Sequence, residues 1–177
     1  MNKLLVMDAK DYAPEMDEIL RVAVRGIIFK DGKLLMIQSD FGELKFPGGG
    51  QEKGESDEAT LIRETLEETG YRVIPSSIRP FGEVEEKRLS VHEPMIWHQI
   101  NRYYFCEVER EQGECRYTES EKKYGFRQVW YTLEDAIRIN GDNLKIEGEH
   151  AWNQREYTVL KLIREFFVEK YMMGVLI

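Results

Sequence analysis

Residues 48–71 constrain the fold more than any other stretch, because a glycine cluster that we expect to lie outside regular structure leads into a predicted helix. They read GGGQEKGESDEATLIRETLEETGY. Ser56 suits the N-cap position, and two acidic residues follow it in the first turn, where the helix dipole favours negative charge. The pattern predicts a helix from about Asp57 to Thr69, ended by Gly70 in a left-handed conformation.

Three glutamates of this helix, Glu64, Glu67 and Glu68, have the i, i+3, i+4 spacing that places side chains on one helix face. Carboxylates this close repel one another, and a divalent cation would reverse that repulsion. Ligands that are all oxygen suit Mg²⁺ or Mn²⁺, and Mg²⁺ usually adds phosphate oxygens from a substrate. The stripe therefore indicates either phosphate chemistry or an ordinary solvated helix face. The apolar residues predicted for the opposite face are Ala59, Ile62 and Leu66.

The chain of 177 residues fits one domain with a terminal addition, and we expect an N-terminal extension at 1–20 and a single domain at 21–177. Its net charge of −8 and pI near 5.1 argue against broad electrostatic binding of nucleic acid or anionic lipid. The N-terminal apolar run LLVM is too short for a signal peptide, and no segment has the ~20 apolar residues of a membrane span. With two cysteines at no metal-ligand spacing, the sequence predicts a soluble, cytoplasmic protein with reduced thiols.

In the rest of the chain, strand-like segments outnumber helix-like ones, and the helices fall between and after the strands. Two β-type runs flank a tight turn at 30–32 and predict a hairpin, and a further turn is expected at Pro80. Thr132 is expected to cap a short helix, and 110–125 reads as a polar loop. We expect a mixed sheet with helices packed on its faces. The predicted strands are 22–29, 33–39, 71–75, 81–88, 98–109 and 126–132, and the last long helix is predicted at 151–172.

The spacing of the charged residues resembles the signature of the Nudix hydrolases, the MutT-like family. Gly49 is followed after five residues by Glu55, and after seven more by Arg63-Glu64-x-x-Glu67-Glu68-x-Gly70. Two aliphatic positions of the signature are occupied by Thr65 and Tyr71, which concerns helix packing more than chemistry. The resemblance covers about residues 20–170 and assigns no subfamily. It implies an α/β/α sandwich around a mixed β-sheet.

The resemblance also implies an activity and a role for each matching residue. The implied activity is Mg²⁺- or Mn²⁺-dependent hydrolysis of a nucleoside diphosphate linked to another moiety, by water attacking phosphorus. Glu67 and Glu68 would be the principal metal ligands, and Glu64 a further ligand or the base. The Gly48 carbonyl would complete the metal site. Arg63 would hold the glutamates in register, a task for which its planar fork is suited.

The resemblance also suggests supporting and substrate-binding residues. Gly49 would support the site, and Glu55 would pair with Arg63 or bind a second ion through water. Arg25 is a candidate phosphate contact or a residue on the solvent face of its strand. Glu121 is the first candidate for a carboxylate from a loop outside the signature. The other candidate loop acids are Glu83, Glu85, Glu86 and Glu119.

Aromatic and histidine residues leave further alternatives open. The aromatic residues near the strand at 98–109 either stack a base or fill the core. The three histidines are expected to be structural or on the surface. The C-terminal segment YMMGVLI is a candidate homodimer contact. The aromatic candidates are Trp97, Tyr103, Tyr104 and Phe105, and the histidines are His92, His98 and His150.

Two other functions remain open on the same fold. One is a non-catalytic, Nudix-like nucleotide-binding or regulatory module. The other is an enzyme similar to isopentenyl-diphosphate isomerase, which would need a cysteine ahead of the signature, where the sequence has none. The expected partner is a small nucleoside diphosphate derivative such as an NTP, a nucleotide sugar or a dinucleotide.

Overall fold

The computed structural model of the protein describes residues 1–91, 93–145 and 151–173. Along these residues six strands precede the first helix, and the other strands and helices follow it, with a single 3₁₀ turn at Pro75–Ser77. In chain order the elements are β1 (Lys3–Asp8), β2 (Glu18–Ile27), β3 (Phe29–Lys30), β4 (Lys33–Gln38), β5 (Leu44–Lys45), β6 (Gly48–Gly50), α1 (Asp57–Thr69), β7 (Tyr71–Val73), β8 (Arg79–Leu89), β9 (Ile96–Phe105), β10 (Val108–Gln112), α2 (Glu119–Lys123), β11 (Arg127–Tyr131), α3 (Leu133–Asn143) and α4 (Ala151–Met172).

The chain forms two compact units. The first comprises Met1–Ile28 and Pro47–Arg116, and the second comprises Phe29–Phe46 and Tyr117–Ile177. Strand β1 and the start of β2 lie within residues 1–20 and belong to the sheet of the first unit. The division into an extension at 1–20 and a domain at 21–177 stays a prediction.

A mixed five-stranded sheet forms the first unit, in the order β1-β8-β9-β2-β6. Strands β1 and β8 are parallel, as are β2 and β9, whereas β8–β9 and β2–β6 are antiparallel. Strand β2 is buried at every residue from Ala23 to Ile27, as expected for a strand covered on both faces. A separate antiparallel pair joins β10 to β7.

Helix α1 packs on one face of this sheet, which we call the helix face. Arg102 and Tyr104 of β9 point to this face and contact Asp57 at the start of α1. Gln99 and Asn101 alternate with them along the strand and therefore point to the other face. The two faces of the sheet therefore present different polar side chains along β9.

The second unit is built on an antiparallel sheet in the order β11-β4-β3, with β5 pairing to β4. The turn between β3 and β4 has positive φ at Asp31 (51°) and Gly32 (73°), as tight hairpin turns require. Asn140 of α3 holds the backbone of Leu44 through two hydrogen bonds of 2.8 Å, so the helix is tied to β5.

The predicted α/β class with a mixed sheet is confirmed, and so are the bounds of α1 and the start of α4. The predicted hairpin is much shorter than expected, because on the N-terminal side of its turn only Phe29–Lys30 pairs with β4. Residues 22–27 instead belong to a central strand whose two edges are already taken by β9 and β6. The described helices include none long and apolar enough to cross a membrane.

Three smaller predictions are wrong. The glycine cluster was expected to lie outside regular structure, but Gly48–Gly50 forms strand β6 because its backbone pairs with β2. Pro80 lies inside β8 rather than in a turn, near a register irregularity and before the point where β1 begins to pair. A proline there costs no ladder hydrogen bond on the unpaired side. The segment 110–125 is not a continuous loop, since it contains the end of β10 and the short helix α2.

Some predicted residues fall outside the described ranges. His92, His150 and residues 174–177 are among them. His98 is partly buried, and its ring nitrogens face the carboxylates of Glu18 (2.5 Å) and Glu85 (3.0 Å). Tyr171 and its two methionine neighbours in the candidate dimer contact are exposed.

Candidate active site

The local sequence fixes both ends of α1. The Ser56 side chain accepts a hydrogen bond from the Ala59 amide (3.1 Å) at the N-cap. Gly70 has φ 72° and donates its amide to the Leu66 carbonyl. A Cβ at Gly70 would also lie 2.2 Å from the Gly113 carbonyl oxygen, so glycine is required there by conformation and by space.

The buried side of α1 differs from the predicted apolar face. Ala59 is exposed, and Ile62 and Leu66 are only partly buried. The helix instead buries one leucine together with polar side chains, one of which is a glutamate that accepts a hydrogen bond from the backbone. The buried residues are Thr60, Leu61, Thr65, Glu68 and Thr69.

Strand β6 brings backbone, rather than side chains, up to the carboxylates. Gly48 has φ 133°, and a Cβ there would lie 2.0 Å from the Val24 carbonyl oxygen. Its amide donates to Glu68 Oε2 at 2.7 Å. A Cβ at Gly49 would lie 2.5 Å from Glu64 Oε2. The glycines therefore leave the space that the two carboxylates fill.

Arg63 organises the acidic residues. Its Nε and Nη2 form a bidentate pair with Glu55 (2.7 and 2.8 Å). Its Nη1 donates to Glu64 Oε1 at 2.7 Å and, more distantly, to Glu67 Oε2 at 3.3 Å. Nη2 also reaches the Gly50 carbonyl at 3.1 Å, which ties the helix to β6. The pKa of Arg63 is raised above its ordinary value, chiefly by the hydrogen bond with Glu55.

Glu55 is held ionised by several donors. The hydrogen bond from Arg63 is the main reason that the pKa of its carboxyl falls to about 2. The Glu52 amide (2.9 Å) and the Thr60 hydroxyl (2.9 Å) donate to the same carboxylate. Through these hydrogen bonds, Glu55 links the loop that precedes α1 to the helix itself.

The three stacked glutamates differ in their access to solvent. Glu68 is buried (2% exposed), whereas the side chains of Glu64 and Glu67 are 14% and 42% exposed. Burial raises the pKa of the Glu64 carboxyl, the Arg63 hydrogen bond lowers it, and the nearby charges of Glu68 and Glu67 raise it again. The carboxylates thus share one partly desolvated space in which negative charge is crowded.

The donor set fits a hard divalent cation in its chemistry. Within the three described ranges, no group of three or more Asp, Glu, His or Cys side chains is arranged as a ready metal site. The reason is visible in the contacts, since Glu64 and Glu67 face Arg63 and Glu68 faces the Gly48 amide. All the candidate donors are oxygen atoms, as Mg²⁺ and Mn²⁺ prefer. Coordination by Glu67 would displace its long, 3.3 Å contact with Arg63.

Arg25 and Glu121 lie in different compact units of the chain. Arg25 is buried in the first unit, and its Nη1 donates to the Gly48 carbonyl at 2.6 Å. The carbonyl that the sequence suggested as a metal ligand is therefore already in contact with a cation. Glu121 lies in the second unit, where its carboxylate accepts from the amide and hydroxyl of Thr118 in a capping box. A substrate contact by either residue stays a prediction.

A further anchor of α1 involves residues that sequence reasoning did not join. Asp57 accepts hydrogen bonds from the Tyr104 hydroxyl (2.5 Å), Arg102 (2.9 Å) and Gln51 (3.0 Å). Burial and then the hydrogen bond with Asp57 raise the pKa of Tyr104. Because β9 is more than 40 residues away in sequence, only the acidic first turn of the helix gave a local signal.

The comparison with known families decides the identity of this arrangement. A family model described as the NUDIX domain matches residues 19–151. The chain belongs to the NUDIX family. The matched region contains β6 and α1, and thus every residue of the signature. Tyr104 and Arg102, which anchor α1, also lie inside this NUDIX domain.

Solved structures of the family share the fold. A NUDIX hydrolase from Nitrosomonas europaea matches 70% of this chain and 79% of its own, with TM-score 0.54 and 20% identity. A MutT NUDIX hydrolase from Burkholderia pseudomallei matches 66% of this chain and 85% of its own, with TM-score 0.51 and 19% identity. At these identities the likeness shows the fold alone.

One relative is similar in sequence over part of the NUDIX domain. It is named "Putative ADP-ribose pyrophosphatase YjhB" and comes from Bacillus subtilis (strain 168). The two are 30% identical over 92 residues, which are 51% of this chain and 43% of that protein. The match therefore spans less than half the length of the relative.

Proposed function

We propose that this NUDIX domain hydrolyses a phosphoanhydride bond in a nucleoside diphosphate derivative, with Mg²⁺ or Mn²⁺ as its cofactor. The observation that carries the proposal is the stack of Glu64, Glu67 and Glu68 against the glycine strand, with Arg63 holding two of the three. When bound, the ion would neutralise the diphosphate and lower the pKa of an attacking water. Membership of the family makes this activity the first to test.

The residues of the stack have roles that follow from their contacts. Glu67 is the most accessible carboxylate and its contact with Arg63 is the longest, so it is the first candidate ligand. Glu68 accepts a hydrogen bond from the Gly48 amide, which fixes its carboxylate beside β6, and it would be a second ligand. Glu64 would serve as a further ligand or as the base. Arg63 would keep the carboxylates in place during turnover, as groups behind metal ligands generally do.

The substrate class is a nucleoside diphosphate linked to another moiety. ADP-ribose is the first compound to test because the Bacillus subtilis relative carries that name. An NTP, a nucleotide sugar and a dinucleotide complete the panel. The cytoplasmic location and the candidate homodimer contact stay predictions.

The proposal is tested by phosphate release from this panel with Mg²⁺ or Mn²⁺ present and with the metal removed by chelation. Glu67→Gln and Glu68→Gln are each expected to reduce turnover by at least ~10²-fold, the typical cost of one lost electrostatic contact at a reacting centre. Glu58→Gln is the matched control, because Glu58 is exposed on the first turn of the same helix. Hydrolysis that is independent of metal, or equal rates in all three variants, would contradict the proposal.

A further inference from the structure

The sheet face opposite α1 carries polar side chains where a core-facing strand would normally carry aliphatic ones. Along β9, Trp97, Gln99 and Asn101 alternate with the residues that point to the helix face. Gln99 and Asn101 are 5% and 0% exposed. Burying amides is costly unless they are hydrogen-bonded, so this row needs an explanation beyond packing.

The buried amides form a directed chain of hydrogen bonds. Gln99 Nε2 donates to Asn101 Oδ1 at 2.7 Å, and Asn101 Nδ2 donates to Glu86 Oε2 at 2.9 Å. The chain fixes the orientation of the Gln99 amide. The acceptor atom of this amide is Oε1, which is the atom that would accept a hydrogen bond from a ligand.

Trp97 stands next to this amide row, between two arginines. Arg88 from β8 and Arg21 from β2 each place their guanidinium carbon 5.8 Å from the centre of the indole ring. Cations at this distance are attracted to the ring. Trp97 is half-buried, so part of the indole remains open to a ligand.

Arg21 connects this aromatic group to the candidate active site. A Cβ at Gly50 would lie 2.8 Å from Arg21 Nη2, so the guanidinium lies directly against β6. The carbonyl of the same glycine accepts from Arg63, which holds the catalytic carboxylates. Arg21 therefore lies both beside the indole of Trp97 and against the strand whose glycine backbone contacts Arg63.

We propose that Trp97, Gln99, Arg21 and Arg88 form the subsite for the nucleobase of the substrate. The base would stack on the indole, Gln99 Oε1 would accept from its edge, and Arg21 would lie between the base and the diphosphate. Base–aromatic stacking and guanidinium contacts are a common means of holding nucleotides. This inference rests on the proposed function for its substrate class, but it is tested by binding alone.

The test is calorimetric titration, with Mg²⁺, of two probes: α,β-methylene-ADP, which has a base and resists hydrolysis, and inorganic pyrophosphate, which has none. Trp97→Ala is expected to weaken binding of the nucleotide by about 5- to 100-fold, the range typical of one stacking contact. Binding of pyrophosphate should be unchanged. Trp97→Phe keeps a stacking ring and should bind the nucleotide nearly as well as the wild type.

Arginine variants provide the matched control. Arg88→Ala should weaken nucleotide binding, whereas Arg138→Ala, an exposed arginine of α3 that pairs with Asp135, should not. Circular dichroism melting checks that each variant is folded. Equal nucleotide affinity in the wild type and Trp97→Ala, a parallel loss of pyrophosphate binding, or no nucleotide binding by the wild type would each overturn the subsite. Binding that depends on Trp97 without hydrolysis of any substrate would keep the subsite and reject the proposed function.

Discussion

Two groups of arginine and glutamate side chains in this molecule differ in their exposure to solvent. In the first unit, Arg63 lies among three glutamates whose side chains remain partly exposed. In the second unit, Arg155 Nη2 pairs with Glu156 Oε1 at 2.7 Å, and both residues are buried. A closed, buried pair can serve folding but cannot reach a ligand. A cluster in which acids outnumber the base and remain accessible can hold a further cation.

The buried pair should produce the largest effect on stability. Glu156→Ala leaves the Arg155 charge buried without this partner, and such losses typically cost ~3–5 kcal/mol of unfolding free energy. Urea denaturation measures the change. Glu165→Ala, at an exposed position of the same helix, is the control and should stay within about 0.5 kcal/mol of the wild type. A small effect of Glu156→Ala would show that the pair is not structural.

A single methyl group at β6 should separate activity from stability. Gly49→Ala places a Cβ 2.5 Å from Glu64 Oε2 and must displace that carboxylate. Misplacement of a reacting group by about 1 Å can reduce turnover by about 10²-fold. We expect this loss in steady-state assays with a nearly unchanged melting temperature. Gly113→Ala is the control and should stay active, because a Cβ there would lie 3.4 Å from its nearest neighbour, the Gly70 carbonyl oxygen. Full activity of Gly49→Ala would show that Glu64 takes no part in the mechanism.

The planar fork of Arg63 is the next feature to test. Arg63→Lys keeps the charge but loses the bidentate pair with Glu55 and the simultaneous contacts to Glu64 and Glu67. Loss of such a supporting contact typically costs about 10- to 100-fold in metal affinity or activity. Titration with Mn²⁺ measures the affinity directly. Unchanged affinity would mean that the guanidinium does not organise the acids.

Glu55 should give the smallest effect and a defined pH dependence. Because its pKa is lowered from 4.5 to about 2 in the folded protein, its ionised form stabilises the fold above pH 4.5. That stabilisation is lost as the pH falls toward 2. Glu55→Gln should therefore be less stable than the wild type by about 1 kcal/mol at neutral pH, with the difference vanishing in acid. A difference that grows on acidification would contradict this assignment.

Sequence reasoning succeeded where the determinants are local. The caps at Ser56 and Gly70 set the bounds of α1, and the spacing of the glutamates along one turn set the acidic stack. Predictions from the sequence failed where the interacting residues are far apart in the chain. The periodicity of α1 suggested that Ala59 faces the core, yet the helix docks through the hydrogen bond between Glu68 and the Gly48 amide. No local sequence pattern predicts such a hydrogen bond.

The pairing of β2 was hidden for the same reason. Its apolar run read equally well as one arm of a hairpin, and the parallel pairing with β9 joins residues almost 80 positions apart. The anchor of Asp57 by Arg102 and Tyr104 depends on that pairing, since it brings β9 beneath α1. The pairing of strands that are distant in sequence therefore determines those contacts of the site that involve residues outside the signature.

Paramagnetic broadening of backbone amide signals by Mn²⁺ tests most directly whether a divalent ion lies against this turn of the helix. In ¹H–¹⁵N spectra of the wild-type protein, substoichiometric Mn²⁺ should first remove the signals of Gly48, Gly49 and residues 64–68. Broadening confined to other acidic surfaces, or none at all, would contradict the account and leave Arg63 and its glutamates as an ordinary charged cluster.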